Sequence, residues 1–159
     1  MSTNHAVKAG ELFASGYNCS QAVFGTFSDI TGVDENTAFM ISSSFGGGMG
    51  RMREVCGAVT GAFMVLGTLY GYSQNDDKVK SELYSMVRDF SERFKAENGS
   101  IVCRELLSQA GIPKDTSGEP EKRTPEYYKK RPCRELVEMA AEILDKMISE
   151  KGNPNENKI

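Results

Sequence analysis

The chain is predicted to be all-α, one domain of about six to seven helices packed around a central glycine-containing helix. Three observations predict it. Apolar residues recur at helical spacing along the two longest amphipathic stretches: Val79, Leu83, Met86, Val87, Phe90 and Phe94 in one, Leu136, Val137, Ala140, Leu144, Met147 and Ile148 in the other. No segment alternates convincingly as a strand. Finally, Val55 to Asn75 carries no charged side chain, which marks it as the element the others pack around. Within it Gly57 and Gly61 lie four apart on one helical face. Glycine costs about 1 kcal/mol against alanine inside a helix, so a pair at that spacing points to close packing against a neighbouring backbone.

In chain order, residues 3–14 read as a short amphipathic helix stopped by Gly16. Asn18, with Gln21 three residues later, reads as a capped helix start, and that helix is expected to run to about Ile30 before Gly32. Asp34 caps a helix over about 35–44, which breaks at Gly46-Gly47-Gly48. The central helix is expected over about 53–70. Asp76 then caps a long helix to Glu97, closed by Asn98-Gly99. A short helix over about 100–110 ends at Gly111 and Pro113. Residues 114–131 read as a polar loop, with room for one helical turn at 126–130. Pro132 suits the first position of the last helix. Residues 1–150 are taken as the domain and 151–159 as a disordered tail.

The 159 residues suffice for a core without staples. A net charge of -3 gives no footprint for nucleic acid or an anionic membrane. Only eight charged side chains fall in residues 1–72: Lys8, Glu11, Asp29, Asp34, Glu35, Arg51, Arg53 and Glu54. The N-terminal half therefore reads as the buried, functional half. Val55–Tyr72 is long enough for a membrane span, but Gly57, Gly61, Gly67, Gly71, Thr60 and Thr68 argue against one. Residues 1–10 contain Asn4, His5 and Lys8 where a signal peptide would be apolar, so a cytoplasmic location is expected. In a reducing compartment, cysteines more often serve as metal ligands or redox thiols than as structural disulfides.

The four cysteines are Cys19, Cys56, Cys103 and Cys133. No CxxC pair occurs, which disfavours a zinc ribbon, a thioredoxin-type dithiol and a common ferredoxin cluster. Each cysteine falls in the first turn of a predicted helix, where unpaired N–H groups and the helix dipole favour a thiolate. Each is followed at three and four residues by core-type positions, so the four helix starts can converge their sulfurs. Cys103-Arg-Glu-Leu106 is echoed by Cys133-Arg-Glu-Leu136. The competing account is that free cysteine packs as a small hydrophobe. His5, the only histidine, lies near the terminus and offers no Cys–His pair. The Gly46–Gly50 loop lacks the Lys-Ser/Thr ending of a P-loop. With Arg51 and Arg53 it reads first as a hinge and second as an anion site. Tyr127-Tyr128-Lys129-Lys130-Arg131 reads as a solvated basic-aromatic loop.

An early cysteine, the run Cys56-Gly57-Ala58-Val59-Thr60-Gly61 and two later cysteines resemble the C_GCAxxG_C_C family of small proteins described as redox-active. The family also resembles part of the split-Soret cytochromes, whose related cysteines are associated with an iron–sulfur cluster. This chain has no Cys-x-x-Cys-His, so covalent haem does not carry over. The resemblance implies a redox protein in which Cys19, Cys56, Cys103 and Cys133 bind an Fe–S cluster or another metal such as zinc and pass electrons to a redox partner. Gly46, Gly47, Gly48 and Gly57 would let backbone N–H groups approach the sulfurs. Two alternatives stand beside it: a metal-free thiol–disulfide protein, and a helical binding or regulatory module with structural cysteines. The stripe from Val79 to Phe94 could also serve a homodimer.

Overall fold

Side-chain caps fix the helix starts. In a computed structural model that describes residues 4–156, Asn18 Oδ1 accepts from the Gln21 N–H while Gln21 Oε1 accepts from the Asn18 N–H, each at 3.0 Å. That reciprocal box opens α2 (Cys19–Thr26). Asn4 caps α1 (His5–Ala14), and Asp34 caps α4 (Glu35–Ser42), which runs into a 3-10 turn at Ser43–Phe45. Asp76 caps α6 (Asp77–Asn98), accepting from the Lys78 and Val79 N–H groups. The other helices are α3 (Ser28–Thr31), α5 (Gly57–Tyr70), α7 (Cys103–Gln109), α8 (Pro125–Lys130) and α9 (Cys133–Lys151). Among the described residues there are thus nine α-helices and no strand, so the expected all-α class holds.

Two boundaries differ from expectation. The helix expected to run from Asn18 to Ile30 breaks at Phe27, leaving the short α3 as a separate turn. The central helix starts at Gly57 rather than Arg53, because the preceding segment winds left-handed. Gly47, Gly48, Met49, Gly50, Arg51 and Arg53 all have φ between 57° and 69°. The turn is closed by Arg53 N–H to Gly47 O (3.2 Å) and Glu54 N–H to Gly48 O (3.0 Å). Left-handed geometry costs an L-residue about 1–2 kcal/mol, so Met49, Arg51 and Arg53 sit there against their own preference. What reads in sequence as a hinge is a fixed left-handed coil.

The centre of the molecule is shared by α5 and α2. Along α5, Gly57 to Ala62, Val65, Leu66 and Leu69 are buried; along α2, Ser20 and Ala22 to Thr26 are. The predicted glycine pair makes their crossing possible. A Cβ on Gly61 would lie 2.8 Å from Ser20 O, and one on Gly57 would lie 3.0 Å from Ser20 N and 3.1 Å from Cys19 Cβ. Around this pair pack α1, α4, α6 and α9, with Phe13, Phe27, Phe90, Phe94, Leu66 and Leu144 fully buried. In the α6 stripe only Phe90 and Phe94 are fully buried; Val79, Leu83, Met86 and Val87 are half-buried. Among the described residues no helix is long and apolar enough to cross a membrane.

Residues at both ends of the described chain are better tied than expected. His5 is buried rather than loose, stacked on Phe27 at 4.1 Å. Its Nδ1 lies 2.7 Å from Asp145 and its Nε2 2.9 Å from Asp29, so the ring joins α1, α3 and α9. Burial of the ring opposes the charged form, but the two carboxylates outweigh it and hold the pKa above the ordinary 6.5. Residues 153–156, expected within the tail, form a turn whose Asn155 side chain donates to Ile30 O at 3.0 Å. The remainder of the expected tail, 157–159, lies outside the described residues, as do the first residues of the chain up to Thr3.

Candidate functional site

The four cysteines arrive from four helix starts. Cys19, Cys103 and Cys133 are the first residues of α2, α7 and α9, and Cys56 is the N-cap of α5. Two of these starts are joined by a single antiparallel bridge, Val55 to Val102. Its hydrogen bonds, Cys56 N–H to Ile101 O (2.8 Å) and Cys103 N–H to Glu54 O (2.6 Å), set the two buried cysteines side by side. Gly57 brings α2, and with it Cys19, against the start of α5. Gly48 does the same for the left-handed coil, since a Cβ there would meet Cys103 Cβ at 2.7 Å. All four cysteines border one cavity of about 50 Å³, together with Phe13, Leu106, Leu107 and Leu136.

Of the glycines expected near the sulfurs, Gly47, Gly48 and Gly57 line this cavity. Gly46 sits one step out, packed against the Asn18 side chain that caps α2. The sequence marks Arg53 and Arg131 locally but not their meeting with Arg123 at the thiols. Arg53 is only 4% exposed, and its Nη1 lies 3.7 Å from Cys103 Sγ while its Nε donates to Asp115 O at 2.9 Å. Arg123 and Arg131 reach the same cavity from the 114–131 segment, which is otherwise mostly exposed but turns these two side chains, with Tyr127, toward the sulfurs. Both guanidinium groups lie 4.8 Å from the Tyr127 ring centre, and Arg123 also covers Phe13 at 4.5 Å. Tyr127 is itself in the cavity wall, and burial pushes its phenol up to about 12.

The four thiols are not equivalent. Cys133 alone is held below the ordinary thiol value. Interaction with the neighbouring Cys19 thiol lowers its pKa, and although burial opposes ionisation, Arg131, Arg123 and Arg53 favour the anion. Interaction with the Cys133 sulfur, and then burial, pushes Cys19 well above the ordinary value. Burial first, and then Cys133 and Cys103, push Cys56 up to about 12; the N–H groups of Ala58 and Val59 act the other way without prevailing. Burial raises Cys103 too, opposed by Arg53. Burial is the largest cause at Cys56 and Cys103, and the Cys133 interaction the largest at Cys19.

Among the described residues no group of three or more Cys, His, Asp or Glu side chains is arranged to hold a metal ion. The sulfurs surround one space without closing on a shared ligand point.

Fold and site together define a small helical protein with thiols from four helix starts gathered at an arginine-rimmed cavity. Residues 17–147 match the family described as "Putative redox-active protein (C_GCAxxG_C_C)", and the chain belongs to that family. No curated protein and no solved structure gives a match to it.

Proposed function

We propose that the chain is a thiol-based redox protein whose reactive dithiol is Cys133 and Cys19. One observation carries this reading: Cys133 shares one cavity with Cys19 and with Arg131, Arg123 and Arg53, a setting that lowers its pKa. The thiolate of Cys133 is the nucleophile and the thiol of Cys19 resolves it. Cys133 S⁻ attacks one sulfur of a disulfide R–S–S–R; the Cys133–S–R bond forms, the S–S bond breaks and RS⁻ leaves. Cys19 S–H gives its proton to the departing thiolate and attacks the Cys133 sulfur, expelling the second RS⁻. The protein thiolate and thiol are oxidised to one disulfide, and R–S–S–R is reduced to one thiol and one thiolate, the latter taking its proton from water. The site is thus suited to a sulfur substrate, and the reverse sequence reduces the protein again. Cys56 and Cys103, raised and buried, serve as packing or reserve thiols.

A second reading rests on the fact that all four sulfurs border the same cavity. Cys19, Cys56, Cys103 and Cys133 would be the ligands of an Fe–S cluster, which supplies one-electron transfer, and the three arginines would offset its negative charge. This reading needs the sulfurs to draw together from their present positions.

One preparation tests both. Protein purified anaerobically without a metal-affinity tag is assayed for iron, zinc and acid-labile sulfide, then equilibrated in dithiothreitol redox buffers, alkylated and mapped by mass spectrometry. The dithiol reading expects a two-electron transition confined to Cys19 and Cys133. Stoichiometric iron and sulfide, lost in Cys56→Ser, would replace it with the cluster; zinc would indicate a structural or sensory centre.

A further inference from the structure

Beside the thiol cavity lies a larger recess of about 450 Å³, within the range of small-molecule sites. The two share Asn18, Gly47, Arg53, Arg123, Tyr127 and Arg131 in their walls, so the recess is the approach to the thiols. Four arginines line it, Arg51, Arg53, Arg123 and Arg131, against a single carboxylate, Glu121. Arg131 is paired with Glu121, and Arg51 with Asp115 at 3.4 Å. Among the described residues Arg53 and Arg123 pair with no carboxylate. The Nη1 of Arg123 is buried without any hydrogen-bond acceptor. A buried cationic donor left open beside a cavity wants an anionic acceptor, and planar guanidinium groups match carboxylates best.

We propose that this recess selects the oxidant of the dithiol: a small disulfide carrying carboxylates, held by Arg123 and Arg53 while its sulfur meets Cys133. The inference rests on the dithiol reading and adds to it the charge of the substrate. It gives the left-handed coil a role. That coil places Arg51 and Arg53 on the recess wall, while Arg51 also donates to Ser117 O (2.9 Å) and to Glu119 O and so fixes the opposite rim.

The test compares three disulfides at low ionic strength: oxidised glutathione (anionic), hydroxyethyl disulfide (neutral) and cystamine (cationic). The rate of Cys19–Cys133 oxidation is followed by alkylation. The expected order is anionic, neutral, cationic, with the anionic-to-neutral rate ratio falling about tenfold in Arg123→Gln and again in Arg53→Gln. Taking the ratio within each protein cancels any change in Cys133 nucleophilicity. Equal rates for all three reagents, or a ratio unmoved by both variants, overturn the proposal. Calorimetry with oxidised glutathione on a Cys19→Ser/Cys133→Ser protein separates the two ideas. Salt-sensitive binding there, with no disulfide formed in the parent, keeps the anion site and removes the dithiol. Disulfide formation without such binding removes the anion site alone.

Discussion

Two glycines six residues apart in α5 should answer the same substitution with opposite signs. At Gly67 an added Cβ would meet nothing within 4 Å, so Gly67→Ala gains helix propensity and stabilises by about 0.5–1 kcal/mol. At Gly61 the same Cβ would lie 2.8 Å from Ser20 O and 3.1 Å from Val23 Cβ, where ordinary contact begins at 3.4 Å. The obstacle is backbone, which cannot rotate away. Overpacking of this kind costs about 1–3 kcal/mol, against which the same propensity gain is set, leaving a net loss of about 1–2 kcal/mol. The two variants should therefore differ by about 2–3 kcal/mol, read from urea midpoints with unchanged slopes. Because the strained neighbour is Ser20, next to Cys19, Gly61→Ala should also weaken the Cys19–Cys133 interaction and raise the Cys133 pKa. A Gly61→Ala protein as stable as Gly67→Ala would refute the close crossing and the account of how α2 delivers Cys19.

The remaining predictions concern protons and access. Iodoacetamide labelling against pH should give Cys133 a midpoint below the ordinary 9.0, and Cys19→Ala should raise that midpoint by removing the neighbouring thiol. Cys56, buried and pushed up to about 12, should stay unlabelled in the folded protein at pH 8 and react only once urea unfolds it. His5 has a raised folded-state pKa, so its contribution to stability is complete below the unfolded value of 6.5 and is lost as pH rises through the folded value. Urea midpoints at pH 6 and pH 8.5 should accordingly differ more for the parent than for His5→Asn; equal differences would show that the Asp29 and Asp145 contacts carry no proton linkage.

How much of this was legible in sequence follows from the range of each signal. Caps are written within three residues, so Asn18, Asp34 and Asp76 could be read directly, and so could the glycine pair of α5. The cysteines were legible as helix starts, and their common position in the family motif brought them to one place. The convergence of the arginines was not. Arg53 meets Asp115, Arg123 meets Tyr17, and Arg131 meets the ring of Tyr127 and the carboxylate of Glu121 across a loop with no period at all. A polar, proline-broken segment gives no sign that it turns side chains inward. The left-handed coil was half visible: three glycines in a row announce unusual backbone, but Met49, Arg51 and Arg53 do not. The differences among the thiols could not be read either, because a helix terminus is a local feature and burial is a global one.

The placement of Cys19 at the start of the second helix and Cys133 at the start of the last has a mechanical meaning as well. A bond between them would close a loop comprising most of the polypeptide. In the chain-entropy picture a crosslink enclosing on the order of 100 residues removes about 4–5 kcal/mol of freedom from the unfolded ensemble. Electron balance and thermal endurance would then be one variable: the oxidised molecule melts later than the reduced one, and whatever reduces it also loosens it. The cell's thiol poise would set how firmly this bundle is laced.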